Sequence, residues 1–547
     1  MTETRNRSAR ALAVLAGGVA AALALAGCSG AGSAKPSDPS YQLTANTPKP
    51  SGDIDSVKWA VYAEPTSLDY AYAFDYPDNQ VLSNVCESLL RLNPDWTLSP
   101  GLATSFSHPN PTTWVYEIRQ GVTFHDGTPL TAADVVASMN RHLDPNVGSS
   151  WADVYKYVTS VAQTGPNEVT VTESQPDSQF NLSMGGDAGV VDSAAYIAKA
   201  GKNYGNSTGL VDCTGPYSVK QWQSGESITL ERYDNYWDKS LQAKNKTFSF
   251  VFLQDSTARV NALKSGAVDG SWMIPAEAIS QLQSSSAGSM YFGLNTAVND
   301  LVISDLQGPL GDLRVRKALL MAIDRQGMLQ AAGKGIGSIS NALTTQSVWS
   351  EASAATTKAA FTGLNPYPHD VAAAKKLVKE AGAEGKQVVI ATAPMGNDFN
   401  IISQGTAAAL TEIGMKPKIV TVTPSQFSAL FSDPSARKGI DLFYTSWYLS
   451  SPDPLEMYAV LQTGQFSNYG NWSDPEFDKV VQEAIATQDP DQRALLSGKA
   501  QKIANEQLPW LPLYDGPMSV FLGKKITGVA PSVAFLYYPW AATIGKR

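Results

Sequence analysis

The stretch that most constrains the fold is residues 370–446, where helical and extended periodicities alternate. Val371, Ala374, Leu377, Val378 and Ala381 share one face of a helix predicted from Asp370 to Gly382. The apolar strand Val388–Thr392 follows, then a helix ending near Gly414, a strand at Lys418–Val422, a short helix around Phe427 and the strand Asp441–Ser446. Such alternation implies parallel βαβ units, because a parallel pair needs a crossover and the crossover helix covers the sheet. In these sheets ligands sit beyond the carboxyl ends of the strands. The loop leaving the last strand, Trp447-Tyr448-Leu449-Ser450-Ser451-Pro452-Asp453-Pro454, therefore falls where a cleft is expected and offers an aromatic pair, two hydroxyls and a carboxylate.

The amino-terminal end bears on the compartment. Arg5, Arg7 and Arg10 precede residues 11–27, which carry no charge and form a run too short for a permanent membrane span, as in an export signal. Leu25-Ala26-Gly27-Cys28 resembles the bacterial lipobox, which implies cleavage after residue 27 and lipidation of Cys28, so that the protein is held on the outer face of the cell membrane. Residues 29–53 are rich in Ser, Gly, Pro and Ala with little apolar bulk, and are expected to be a flexible tether spanning roughly 25 to 30 Å.

The 520 residues beyond residue 27 exceed a single small module. A net charge of −9 lacks the basic footprint of a nucleic-acid binder. Cys86 and Cys213 are the cysteines left after Cys28, and in an oxidising compartment they are either bridged or two buried thiols. Ordered structure is expected to begin with a strand at Val57, Trp59 and Val61, followed by a helix from Asn79 to Leu90. Trp114, Tyr116 and Ile118 alternate as a half-buried strand, Asp126-Gly127 marks a turn, and Thr131 with Asp134 opens a helix. Extended segments are expected at Glu168–Thr172, Ile228–Arg232 and Tyr291–Asn295, a helix capped by Asp312, a helical part from Asp474 to Gln507, and strands and turns from Phe521 to Trp540.

Catalytic signatures are missing. His108, His125, His142 and His369 are scattered without metal-ligand spacing, and neither a phosphate loop nor a G-x-S-x-G elbow occurs. No cofactor, no metal and no enzymatic activity are expected.

Several segments together resemble the bacterial extracellular solute-binding protein family 5, the oligopeptide-, dipeptide- and nickel-binding lipoproteins of ABC importers. The strongest block is GLATSF with WVYEIRQGVTFHDGTPLTAADVVAS from Trp114 to Ser138; TGPYSVKQW, LERYDNYW, ARVNALKSGAVDG, GDLRVRKALLMAIDR and YPHDVAAAKKLVKEAG follow in the family order. The resemblance implies an α/β periplasmic-binding-protein fold of type II, cluster C: two lobes on a hinge, one with an extra β-rich subdomain. Residues 54–96, 216–296 and 515–547 would form the first lobe, 97–215 its extra subdomain, and 297–514 the second lobe. It also implies a monomer that captures a solute, foremost a peptide, and delivers it to a membrane permease. The candidate ligand-binding residues are Trp447, Tyr448, Leu449, Ser450, Asp453, Trp272, Asn295, Ser67 and Glu87. Peptide-binding relatives place an aspartate three residues after the loop tryptophan to hold the peptide ammonium; that position here is Ser450, with Asp453 as a substitute. An oligosaccharide or another neutral solute is the alternative ligand, and a surface-anchored hydrolase the alternative of another class.

Overall fold

The structure is a computed structural model that describes residues 41–547. The expected export signal, Cys28 and the start of the expected tether lie outside the described residues.

Two mixed sheets organise the molecule. The first has seven strands in the order Tyr217–Gln223, Ser227–Arg232, Asn245–Phe252, Ile54–Val61, Gly270–Trp272, Met518–Gly523 and Gly288–Gly293. Ile54–Val61 runs parallel to both of its neighbours. The second has six strands in the order Ser338–Ile339, Trp510–Asp515, Val298–Ile303, Leu442–Trp447, Gln387–Thr392 and Lys416–Thr421. Gln387–Thr392 is parallel to Lys416–Thr421 and to Leu442–Trp447, as the alternation of residues 370–446 requires. Val298–Ile303 is antiparallel to both of its neighbours, which the sequence pattern did not disclose. A four-stranded antiparallel sheet, Ala103–Asn110, Thr113–Ile118, Glu168–Glu173 and Val158–Gly165, stands apart from both.

Local chemistry sets the helices. Asp370 accepts the Ala373 amide proton at 2.9 Å and starts Val371–Glu380, whose Ala374 and Val378 are fully buried. A buried valine of this kind contributes roughly 1.5–3 kcal/mol. Thr131 and Asp134 form a reciprocal capping box at Ala132–Leu143. Ser256–Ser265 ends at Gly266, whose φ of 72° is the left-handed closure that favours glycine.

Three expectations are corrected. The helix predicted over Asn79–Leu90 is Tyr76–Leu82, started by Asp75 and Pro77 and ended before Cys86, which is bonded to Cys213. Glu87 and Ser88 then pair as strand with Val191 and Val190. The strand expected at Tyr291–Asn295 is Gly288–Gly293, which leaves Asn295 outside the sheet. Finally, residues 41–53 are laid against the first sheet's half of the molecule. Thr44 donates to the Phe292 carbonyl, Thr47 to that of Val529 and Ser51 to that of Lys546, so backbone pairing wins where composition predicts slack chain.

The cores follow the sheets. Trp59, fully buried on the first sheet, meets Trp540 at 4.7 Å, Trp272 at 5.8 Å and Phe248 at 6.1 Å between ring centroids. Packing over the second sheet is centred on Leu301, Leu319, Ile390 and Leu442 on one side and on Phe443, Tyr458, Phe477 and Trp510 on the other.

Candidate functional site

The chain crosses between the two large sheets at residues 294–297 and again at 516–517. Asn295 ties the crossings together. Its amide donates to the Gly516 carbonyl at 2.9 Å, and its Oδ1 accepts from the backbone of Thr296 and Ala297. Asn295 therefore belongs to the connection between the halves, where its side chain is held by these bonds.

The carboxyl ends of the parallel strands approach one another. Ile54–Val61 delivers Tyr62, Gln387–Thr392 delivers the turn before Asp398, and Leu442–Trp447 delivers the loop 447–454. Tyr448 reaches the other half: its hydroxyl donates to the Phe74 carbonyl at 2.5 Å and its ring lies 4.9 Å from that of Tyr76. Trp447 is partly buried against Trp510 at 5.1 Å. Thr296 Oγ1 donates to the Leu449 carbonyl at 3.1 Å and accepts from the Leu449 amide, which buries Leu449 against the crossing.

Ser450 and Asp453 are engaged within the protein. The Glu456 carboxylate accepts from the amide and hydroxyl of Ser450 and from those of Ser451, all at 2.7–3.1 Å. Burial pushes the Glu456 carboxyl up, and these donors offset part of that rise. Asp453 accepts from Arg493 Nε at 2.5 Å and from the Leu455 amide at 2.8 Å, with both charged side chains only 3 % exposed. A fully bonded buried ion pair holds the loop, and within the protein the charge of Asp453 is already met by Arg493.

Three more expected ligand residues are engaged within the protein. Trp272 is buried and stacks on Phe535 at 4.6 Å, inside the first core. Glu87 accepts from Tyr236, Trp237 and Thr214 at 2.8–2.9 Å and pairs with Arg91, which fixes the LERYDNYW segment to the early chain. Ser67 accepts the Asp69 amide proton at 2.9 Å and shapes the turn after the first strand.

The structure adds residues that sequence reasoning missed. Tyr444 donates to Asn299 at 2.6 Å and to Asp398 at 3.1 Å; burial raises the Asp398 carboxyl, and Glu277 from the opposite half raises it further. Tyr62 is raised by burial and then by Asp75, Tyr76, Asp78 and Tyr448. Asp78 accepts from the amide and hydroxyl of Thr66, yet burial lifts its carboxyl to about 7. Asp187 is 3 % exposed and its Oδ2 has no hydrogen-bond partner; burial raises it well above the carboxylate range, a hydrogen bond with Asn79 offsets part of the rise, and the Asp78 charge adds to it. The strand-end rule that found Trp447 also points to Tyr62 and Asp398, whereas Asp187 and Tyr537 arrive through tertiary contacts without a sequence signature.

Cys86, Cys213 and Asp192 lie close together, but the two sulfurs are joined to each other and are not free thiolates for a metal. No helix among the described residues is long and apolar enough to cross a membrane.

The profile of the bacterial extracellular solute-binding proteins, family 5, matches residues 97–469. The glutathione-binding protein GsiB of Salmonella paratyphi A is 25% identical over 490 residues, covering 87% of this chain and 93% of that protein. A periplasmic binding protein DppA from Helicobacter pylori, solved with the peptide STSA, superposes with a TM-score of 0.80 at 19% identity, covering 90% of this chain and 98% of that one. AppA from Bacillus subtilis, an oligopeptide-binding protein solved with a nonapeptide, superposes with a TM-score of 0.78 at 19% identity over 91% and 100%. AgaA, solved with agropinic acid, gives 0.79 at 22% identity over 90% and 99%.

Proposed function

The chain belongs to the bacterial extracellular solute-binding proteins, family 5, and from that premise we propose that it captures a peptide between two closing lobes and hands it to a membrane permease. Proteins of this family are solute-binding components of ABC importers, with the type II periplasmic-binding-protein fold seen here. The lobes are 54–96, 216–296 and 515–547 for the first, 97–215 for its extra subdomain, and 297–514 for the second. Cys28 carries the lipid that holds the protein outside the cell as a monomer, and its role is binding without turnover.

The observation that carries the reading is the meeting of parallel strand ends from two sheets joined by paired crossings, with tyrosines and unneutralised carboxylates facing one another. Aromatic faces bury a guest, and carboxylates favour one bearing positive charge. Named relatives that bind glutathione or peptides support peptide over a neutral sugar.

Closure is supported by contacts from one half to the other. Trp96 Nε1 donates to the Ser451 carbonyl at 3.2 Å while the Trp96 carbonyl accepts from Ser350 Oγ at 3.2 Å. The Ser178 amide donates to the Ile485 carbonyl at 2.8 Å. Opening the cleft breaks these bonds, and a ligand that bridges the halves shifts the population toward the closed state.

The test is mass spectrometry of what co-purifies with natively expressed protein, followed by calorimetric titration and small-angle scattering. A peptide bound one to one, unaltered, with a smaller radius of gyration when bound is expected. A bound neutral oligosaccharide would sink the peptide assignment, and hydrolysis of the guest would sink the binding role.

A further inference from the structure

A peptide taken up by this chain brings a primary ammonium, and the loop that serves it in the resembled family has no free charge here. Ser450 is neutral and bound to Glu456, and Asp453 is spent on Arg493. A buried ammonium without a counter-charge costs far more than its contacts return, so the charge must come from elsewhere.

Asp187 sits at the required place. The loop carrying it is pinned by Ser88 Oγ to the Gly186 carbonyl at 2.8 Å and by the Leu89 amide to the Gly189 carbonyl at 2.9 Å. Its carboxylate is close enough to raise both Tyr448, from the cleft loop, and Tyr537, from the carboxyl-terminal segment. A Cβ added at Gly186 would stand 3.6 Å from the Tyr537 ring, which shows how tightly loop and ring are packed. Around it lie polar groups that meet one another and leave acceptors over: the fully buried Asn79 carboxamide faces the Asp187 carboxyl, the Tyr537 hydroxyl faces that of Tyr448, and Asn79 Oδ1 and Asp187 Oδ2 are left without a donor. The charged groups coupled to this cluster are acids, namely Asp75, Asp78 and Glu456, and no ion pair joins Asp75, Asp78, Asp187 or Glu456 to a lysine or arginine among the described residues.

Buried acceptors normally find donors, so a converging set with acceptors left over marks a place that something else completes. We infer that Asp187, with the Asn79 carboxamide and the Tyr537 hydroxyl, forms the subsite that receives the ligand's primary ammonium. This rests on the peptide reading above and assigns the counter-charge to the extra subdomain instead of the cleft loop. An ammonium has three donors, and Asp187 Oδ2, Asn79 Oδ1 and Tyr537 Oη are three acceptors.

The probes are a pool of free-amine tetrapeptides and the same pool N-acetylated, titrated by calorimetry into the full-length protein and into the D187N and Y537F variants. The wild type is expected to prefer the free-amine pool. D187N should lose at least about tenfold in affinity for it and lose the preference, while Y537F should lose less. Thermal unfolding of ligand-free D187N should be unchanged or raised, which separates a lost subsite from a lost fold. Equal binding of both pools by the wild type, or a preference that survives in D187N, would overturn the inference and leave the peptide reading standing. Wild type that binds neither pool but takes up a neutral oligosaccharide would overturn both.

Discussion

Asp453 and Asp187 are buried to the same degree, 2 % and 3 % exposed, and face opposite electrostatic circumstances. Asp453 has Arg493 and a backbone amide; Asp187 has an unpartnered oxygen and acidic neighbours. Equal burial thus conceals different purposes. A carboxylate that is paired holds the protein together, whereas one left incomplete lowers the stability of the empty protein and gains its partner from outside.

The largest effect should come from breaking the pair. Asp453→Ala strands Arg493 in a dry site and is expected to cost about 3–5 kcal/mol in urea denaturation. Asp187→Asn in the same assay should be neutral or stabilising, and equal losses in the two variants would erase the contrast. Removing the Cys86–Cys213 disulfide by double serine substitution is expected to cost about 2–5 kcal/mol. Because Cys86 lies between Asn79 and the strand that pairs with residues 190–191, hydrogen exchange should rise around 84–91 and 190–214 and stay low around 447–456. Asn295→Ala touches neither aspartate; it should cost roughly 0.5–1.5 kcal/mol by losing the bond to Gly516, and should alter the scattering profile of ligand-free protein by loosening one crossing from the other.

A separate effect concerns Glu173, a carboxylate in the extra subdomain that is buried beside Trp114 and the Asp177 backbone. Burial, then the Asp177 charge, raises it from 4.5 to about 8. A folded value above the unfolded one means that the native state binds the proton more tightly, so stability present below about pH 4.5 declines as pH rises toward 8. Glu173→Gln should flatten that decline when urea midpoints are compared at low and high pH. An unchanged slope would show that burial of this carboxylate carries no such penalty.

Much of the fold was legible because its determinants are local. The caps at Thr131, Asp312 and Asp370, the alternation of residues 113–118 and the helix-strand succession from 370 to 446 each depend on near neighbours in sequence. The site was legible only as far as the strand-end rule reaches, which is the loop at Trp447 and Tyr448. Sequence does not show that Trp237, Arg493 and the Asp69 amide already bond Glu87, Asp453 and Ser67, because those partners are set by the fold. Asp187 was overlooked for the converse reason, since a missing partner is visible only in three dimensions.

The segment from Tyr41 to Gly52 has a mechanical consequence. Tyr41 lies 5.6 Å from the Phe292 ring and Gly52 pairs with Lys546, so thirteen residues from 41 to 53 that composition offered as rope are part of the hull. Whatever precedes Tyr41 therefore joins the body on the side where Phe292 and Lys546 lie, and not at a slack end of residues 41–53.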